Sequence, residues 1–224
     1  MVADLRVGTM VMLGGFGLCG IPENLIAAAI RKGLKGLHAI SNNMGVDGFG
    51  MGLMLEARLI ASHIGSYVGE NRMLEKLVIA GQLDLTLIPQ GTLAERIRAG
   101  GAGIPAFYVP ACVGTVVADG KEAREIDGKP YLMELALPAD VSRVKAWKVG
   151  CHGNLVYRKT ARDFNPAMAT AEDLTIAEVE EFVEPGQLDP DEIVTPGIYV
   201  NRIVVGPMFK KPIESRFIEE FARR

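Results

Sequence analysis

Apolar and polar positions along the first hundred residues switch repeatedly between the two-residue period of a strand and the longer period of a helix. Residues 10–13 are a short apolar run closed by Gly14-Gly15, and Pro22 then opens Glu23-Asn24-Leu25-Ile26-Ala27-Ala28-Ala29-Ile30, a run of strong helix formers. The pattern predicts strand, glycine turn, helix. It continues with strands over 37–41, 60–66 and 83–88, a helix over 71–80 stopped by Gly81, and a helix over 92–98 stopped by Gly100-Gly101. Repeated β-α units of this kind build a mostly parallel sheet flanked by helices.

From Ala111 the texture changes. Strand-like pieces at 113–117, 131–137 and 144–148 are separated by Asp119-Gly120, Asp127-Gly128 and Pro138, turn signals of antiparallel hairpins. The reading is an α/β fold with a β-rich C-terminal half. Residues 184–191 form a polar loop between two β-rich runs, and 210–224 are a charged tail. Neither marks a boundary, so residues 1–224 are expected to form a single domain.

Composition narrows the function classes. The 224 residues are 49% hydrophobic, and a chain of this size buries roughly 70 to 75% of its unfolded surface, enough for a genuine core. The 24 basic and 27 acidic residues are interspersed and give a net charge of -3, and aromatics are only 6%. No basic patch or stacking platform for nucleic acid is expected. Cys19, Cys112 and Cys151 are odd in number and widely separated, unlike a secreted disulfide framework. The N-terminus lacks the basic start and unbroken apolar run of a signal peptide, and residues 10–18 are too short and glycine-rich to span a bilayer. A soluble, cytoplasmic chain with no membrane partner is the expectation.

The most informative stretch is Gly14-Gly15-Phe16-Gly17-Leu18-Cys19-Gly20-Ile21-Pro22. Missing Cβ atoms let backbone N–H groups approach an anion at a helix N-terminus, which suits a diphosphate. Gly15, Gly17 and Gly20 also satisfy the dinucleotide fingerprint, but the acidic residue required about 20 positions on is replaced by Ile40-Ser41-Asn42-Asn43. A tight turn whose glycines serve packing alone is the third reading. Cys19 fits as a small packing residue. His38, His63 and His152 have no metal-like spacing, so no metal is expected. Gly65-Ser66-Tyr67-Val68-Gly69 does not have the spacing of a serine nucleophile elbow.

Gly14-Gly15-Phe16 followed by Gly20-Ile21-Pro22 resembles the signature of the α subunit of family I coenzyme A transferases, and the run through Glu23-Asn24-Leu25-Ile26 is similar to the 3-oxoacid branch. The resemblance continues through Ser41-Asn42-Asn43 with Gly45-Val46-Asp47, Ser66-Tyr67-Val68-Gly69-Glu70-Asn71, and Pro89-Gln90-Gly91-Thr92-Leu93-Ala94-Glu95-Arg96 into Gly100-Gly101-Ala102-Gly103. It departs at Val7-Gly8, where relatives have Asp or Asn before the glycine.

The resemblance implies a CoA-transferase fold and transfer of CoA from succinyl-CoA to a 3-oxoacid such as acetoacetate. The chemistry is nucleophilic, through a glutamyl-CoA thioester on a glutamate of the partner β subunit. CoA is then a cosubstrate and no cofactor is bound permanently; the partners are the β subunit, an acyl-CoA and a carboxylic acid, in an α2β2 heterotetramer. Gly14, Gly15, Phe16, Gly17, Leu18, Cys19 and Gly20 correspond to the loop implicated in CoA binding, and Gln90 to an amide donor near the reacting acyl group. A neutral amide can stabilise a developing oxyanion without titrating. Asn42 and Asn43, at the carboxyl end of a parallel strand, either face the cleft or stabilise a turn. Glu70 reads as a first-turn acid favourable to a helix dipole rather than as the nucleophile. Arg96 and Arg98 read as a solvated helix face. Other acid pairs, 3-oxoadipate or acetate with a short-chain acid, remain open. So do a nicotinamide-dependent oxidoreductase and a non-enzymatic CoA-binding module.

Overall fold

The computed structural model describes residues 3–207 and 209–211, so the expected charged tail lies outside the described residues from position 212 onward. In chain order the elements are β1 (Met10–Leu13), α1 (Glu23–Lys32), β2 (Leu37–Ile40), α2 (Gly52–Glu56), β3 (Ile60–Gly65), α3 (Arg72–Ile79), β4 (Asp84–Leu87) and α4 (Gln90–Gly101). The second half adds β5 (Ala106–Val109), β6 (Ala123–Ile126), β7 (Lys129–Leu135), β8 (Val141–Gly150), β9 (Leu155–Val156), α5 (Asn165–Met168), β10 (Thr175–Val183) and β11 (Arg202–Val205).

The main sheet runs β11-β10-β8-β1-β2-β3-β4, with every neighbouring pair parallel and β9 paired antiparallel to β8. Both faces are covered, which explains the unbroken apolar run of β1. Val11 and Leu13 turn to a core shared with Ile26, Ala29, Met54 and Leu74 of α1, α2 and α3. Met12 turns the other way, toward Leu93 and Ile97 of α4 and Met168 of α5. Local signals set the helix ends. Gly33 takes a left-handed φ of 66° and returns its N–H to Ala29 and Ile30 after α1, while the Asn71 side chain accepts the Leu74 N–H at 2.9 Å to cap α3. No helix among the described residues is long and apolar enough to cross a membrane.

The C-terminal half is strand-rich as expected, but its strands divide between two sheets. Among the described residues, β5-β7-β6 forms a small antiparallel sheet, with β6 and β7 joined by Asp127 and Gly128 at φ 51° and 72°. The expected strand at 144–148 instead joins the parallel sheet as β8, pairing with β1 in the register Val11 to Val141. The expected strand at 113–117 is replaced by turns and a 3-10 turn at Val116–Ala118, because the Thr115 hydroxyl accepts the Val117 N–H and bends the chain.

Gly100 and Gly101 also differ from expectation: they lie inside α4, and the left-handed residue after it is Gly103 at φ 69°. Their smallness serves packing. A Cβ on Gly101 would stand 2.5 Å from Thr170 Oγ1 and 2.6 Å from Thr170 O. Arg96 is likewise not a solvated residue, since its Nε donates to Leu135 O at 2.8 Å and ties α4 to β7; Arg98 stays exposed and pairs with Glu95 at 2.9 Å.

The α4 packing gives a direct test. Gly101→Ala should lower stability by about 1 to 3 kcal/mol, the usual cost of overpacking against backbone, whereas Gly103→Ala should lose less, having no neighbour within 4 Å and only the left-handed backbone to accommodate. Paired urea melts would check the order, and equal losses would show that the α4 contact with Thr170 is loose.

Candidate active site

In an open parallel sheet the strands deliver their following loops to one edge, where ligands bind. The loops after β1, β2, β3 and β4 line that edge, and between them they carry the glycine run, Asn42 with Asn43, Ser66 to Glu70, and Gln90. The structure brings Asn42 and Gln90 together. Asn42 is buried, and its Nδ2 donates to Ser66 Oγ at 2.8 Å and to Gln90 Oε1 at 3.3 Å. Gln90 is exposed at the first position of α4, held by its oxygen, so its NH2 is the end left for a ligand. Asn43 serves its own turn instead: its Oδ1 accepts the Gly45 N–H at 3.4 Å, and its carbonyl accepts from Ser41 Oγ at 2.7 Å.

The glycine loop lies one strand further along. Its contact with the loop after β2 runs through Gly50, where a Cβ would meet Leu18 Cδ2 at 2.9 Å and Ile21 Cδ1 at 3.1 Å. The loop folds back on itself. Phe16 and Cys19 exchange both backbone hydrogen bonds, at 2.9 and 3.0 Å, making a two-residue hairpin that leaves Phe16 47% exposed.

The N-terminus of α1 is also occupied. Glu178, a fully buried residue of β10, accepts from Asn24 N at 3.1 Å, Asn24 Nδ2 at 2.8 Å and Leu25 N at 2.8 Å. The Glu23 and Ile26 N–H groups go to Ile21 O and Pro22 O. The first turn of α1, where the sequence suggested a diphosphate, already holds a protein carboxylate.

Two residues that the sequence reading missed hold the loop from beneath. Asn165 is fully buried, with Oδ1 accepting from Lys145 N at 2.8 Å and Nδ2 directed at Gly20 O, Ala161 O and Asp163 Oδ1 at 3.0, 3.1 and 3.1 Å. A Cβ on Gly14 would overlap Asn165 Oδ1, and one on Gly20, at φ 67°, would overlap Asp163 Oδ2. Burial pushes the Asp163 carboxyl up to about 8, and backbone N–H groups of Phe164, Asn165 and Gly15 draw it back only in part. No local pattern marks this pair. Asn165, which opens the four-residue α5, is 145 residues from Gly20 in sequence, and Asp163 lies at the turn before it.

Charged groups cluster in a hollow beside the loop, where Lys145, Arg158 and Lys211 face Glu23 and Glu180. Lys145 bonds Glu180 at 2.7 Å and lies 4.2 Å from the Phe209 ring. Cys19 is half-buried with its Sγ 3.9 Å from Thr160 Oγ1. Among the histidines, His63 is buried and its pKa is pushed down to about 4 by loss of water, while its Nε2 lies 3.1 Å from Ser41 Oγ. Glu70 precedes the Asn71 cap rather than entering the first turn of α3. It is exposed, with a left-handed φ of 66°.

Comparison with known proteins gives the chemical context. A family model described as Coenzyme A transferase matches residues 1–206. The A subunit of succinyl-CoA:3-ketoacid coenzyme A transferase from Xanthomonas campestris pv. campestris (strain B100) is 57% identical over 219 residues, covering 98% of this chain and 89% of that one. The protein of the same name from Helicobacter pylori (strain J99) is 53% identical over 213 residues, with 95% and 92% covered. Among solved structures, an acyl-CoA transferase of Escherichia coli O157:H7 in a thioester complex with CoA superposes with a TM-score of 0.83 at 20% identity. It covers 94% of this chain, which spans about half, 49%, of the Escherichia coli chain. Glutaconate coenzyme A-transferase from Acidaminococcus fermentans gives 0.81 at 18% identity, with 92% and 73% covered.

The buried carboxyl under the loop has a measurable consequence. Asp163 binds its proton more tightly folded, at about 8, than unfolded, at 3.8, so its stabilising contribution is complete below about pH 4 and is lost as pH rises toward 8. Asp163→Asn, neutral throughout, should gain melting temperature over the parent as pH rises from about 5 to 8. A constant difference across that range would mean that the carboxyl is not titrating there.

Proposed function

The chain belongs to the coenzyme A transferase family, and from that premise we propose that it is the α subunit of a heteromeric enzyme moving CoA from succinyl-CoA to a 3-oxoacid such as acetoacetate. The nearly full-length likeness to relatives that are themselves named as one subunit of such a transferase supports the half-site reading. The partner β subunit supplies the nucleophilic glutamate. Its carboxylate attacks the thioester carbonyl and releases CoA thiolate, which re-enters at the glutamyl carbonyl to free succinate and leave a glutamyl-CoA thioester. The acceptor acid then reverses the sequence.

Each attack passes through a tetrahedral oxyanion, and this chain answers that need with Gln90. The observation that carries the assignment is the Asn42 to Gln90 contact, which fixes the amide by its oxygen at the ligand edge of the sheet. Because the amide does not titrate, its donor is present at every pH the carboxylate chemistry tolerates. Phe16 and the outer face of its hairpin provide the surface along which CoA lies, with Asn42 orienting Gln90. Asn43 lines the same edge and serves the substrate through the turn it stabilises. An α2β2 assembly and a cytoplasmic setting complete the proposal. Another acid pair is the alternative within the same chemistry, since both subunits would shape the acid pocket.

Acetoacetyl-CoA formation from succinyl-CoA and acetoacetate, measured with this chain alone and after co-expression with its β subunit, tests the assignment. Activity is expected only with the partner. Gln90→Ala in the heteromer should lower kcat by about 100-fold, the scale of losing one oxyanion donor. Activity of the chain alone would overturn the half-site assignment and return attention to Glu70.

A further inference from the structure

The loop from Gly14 to Gly20 owes its shape to a side chain 145 residues beyond its last glycine. Asn165, the first residue of α5, touches both ends of the loop: Gly14 leaves no room for a Cβ against its Oδ1, and Gly20 O accepts from its Nδ2 at 3.0 Å. The orientation of that amide is settled by chemistry. Lys145 offers a backbone N–H to Oδ1, whereas Gly20, Ala161 and Asp163 present only oxygens to Nδ2. Neither Asp nor Leu, though close in size, can serve both sides. One offers no amide donors, and the other neither donates nor accepts.

The position also anchors the loop to stiff structure. Lys145 belongs to β8 in the middle of the parallel sheet, so the hydrogen bond to its N–H makes the sheet the reference for the loop. Asp163 beneath Gly20 has a backbone at φ 27° and ψ -124°, outside the common regions, held there by the surrounding contacts. We propose that Asn165 is the positioning residue that sets the conformation of the Gly14 to Gly20 loop needed for CoA binding, with Asp163 as its support. This rests on the reading that the loop contacts CoA. Asn165 touches the loop from the interior and acts through Gly20.

The test uses the intact heteromer and the isosteric variant Asn165→Asp. The new carboxyl faces three oxygens with at most one O–H donor in place of two N–H donors, so the amides of Phe16 to Gly20 should exchange hydrogen at least about tenfold faster, and the KM for succinyl-CoA should rise at least about tenfold. The KM for acetoacetate should stay within about twofold of the parent. A loss that arises only from general destabilisation would speed exchange across the whole chain and raise both KM values, not those of the loop and succinyl-CoA alone.

Unchanged loop exchange, or faster exchange spread evenly over the chain, overturns the proposal. If Asn165→Asp does not assemble, Gly20→Ala disturbs the same contact from the loop side and should give the same faster exchange and raised KM; its silence would equally overturn the proposal. Failure of the underlying reading is separate, because then the loop amides would exchange faster while the KM for succinyl-CoA stayed at the parent value.

Discussion

The arrangement hangs on a carboxylate buried in the sheet. Glu178 of β10 reaches the N-terminus of α1 and accepts two backbone N–H groups and the Asn24 amide. Burial raises its pKa, and the three donors and the positive end of the helix dipole work against that cost. Arg143, buried on β8, donates to Leu25 O at 3.0 Å, so one turn of α1 is gripped through both its donors and an acceptor. Once that turn is fixed, the chain between the end of β1 and Glu23 has no freedom in where it finishes. The glycine loop has to close a span whose two ends are set by the sheet.

That constraint explains the hairpin. A span with fixed ends and small residues can fold back on itself, and the paired backbone of Phe16 and Cys19 satisfies groups that would otherwise need water or ligand. Asn165 then locks the loop onto β8. The same edge carries a second device of similar kind, in which Val46 and Phe49 pair across a tight turn after β2 and leave Phe49 44% exposed. Two aromatic tips thus stand on neighbouring loops held by polar contacts underneath, an economical way of presenting apolar surface without a mobile backbone.

What was legible in the residues follows from range. The strand, glycine turn and helix at 10–32 were readable because propensity, the glycines and Pro22 agree within a few positions. The small residues at Gly100 and Gly101 misled because a helix stop and a close helix approach use the same residue, and only Thr170 across the interface distinguishes them. The 113–117 segment misled because β-branched residues fit a strand, whereas the Thr115 hydroxyl turned the chain first. Asn42 and Gln90 were legible as candidates by position and resemblance, but their hydrogen bond was not, since it joins loops 48 residues apart. Asn165, Asp163 and Glu178 left no periodic trace at all. A buried polar residue on a turn or strand looks like a solvated one until its partners are known.

Part of the hydrogen bonding around the glycine loop is committed within the protein. The N–H groups that bond Glu178, the paired Phe16 and Cys19, and the Gly15 N–H near Asp163 have protein acceptors, so in the proposed reaction a side-chain donor outside the loop has a distinct part. In the proposed reaction Gln90 takes that part, because Asn42 holds its oxygen and α4 holds its backbone. On the same proposal the loop contributes shape: an exposed aromatic at Phe16 on a backbone already paired with Cys19 before a long, flexible thioester arrives. Ordering is then borne by the protein at folding rather than at binding, and a preorganised surface of this sort favours affinity without demanding new backbone contacts from the ligand.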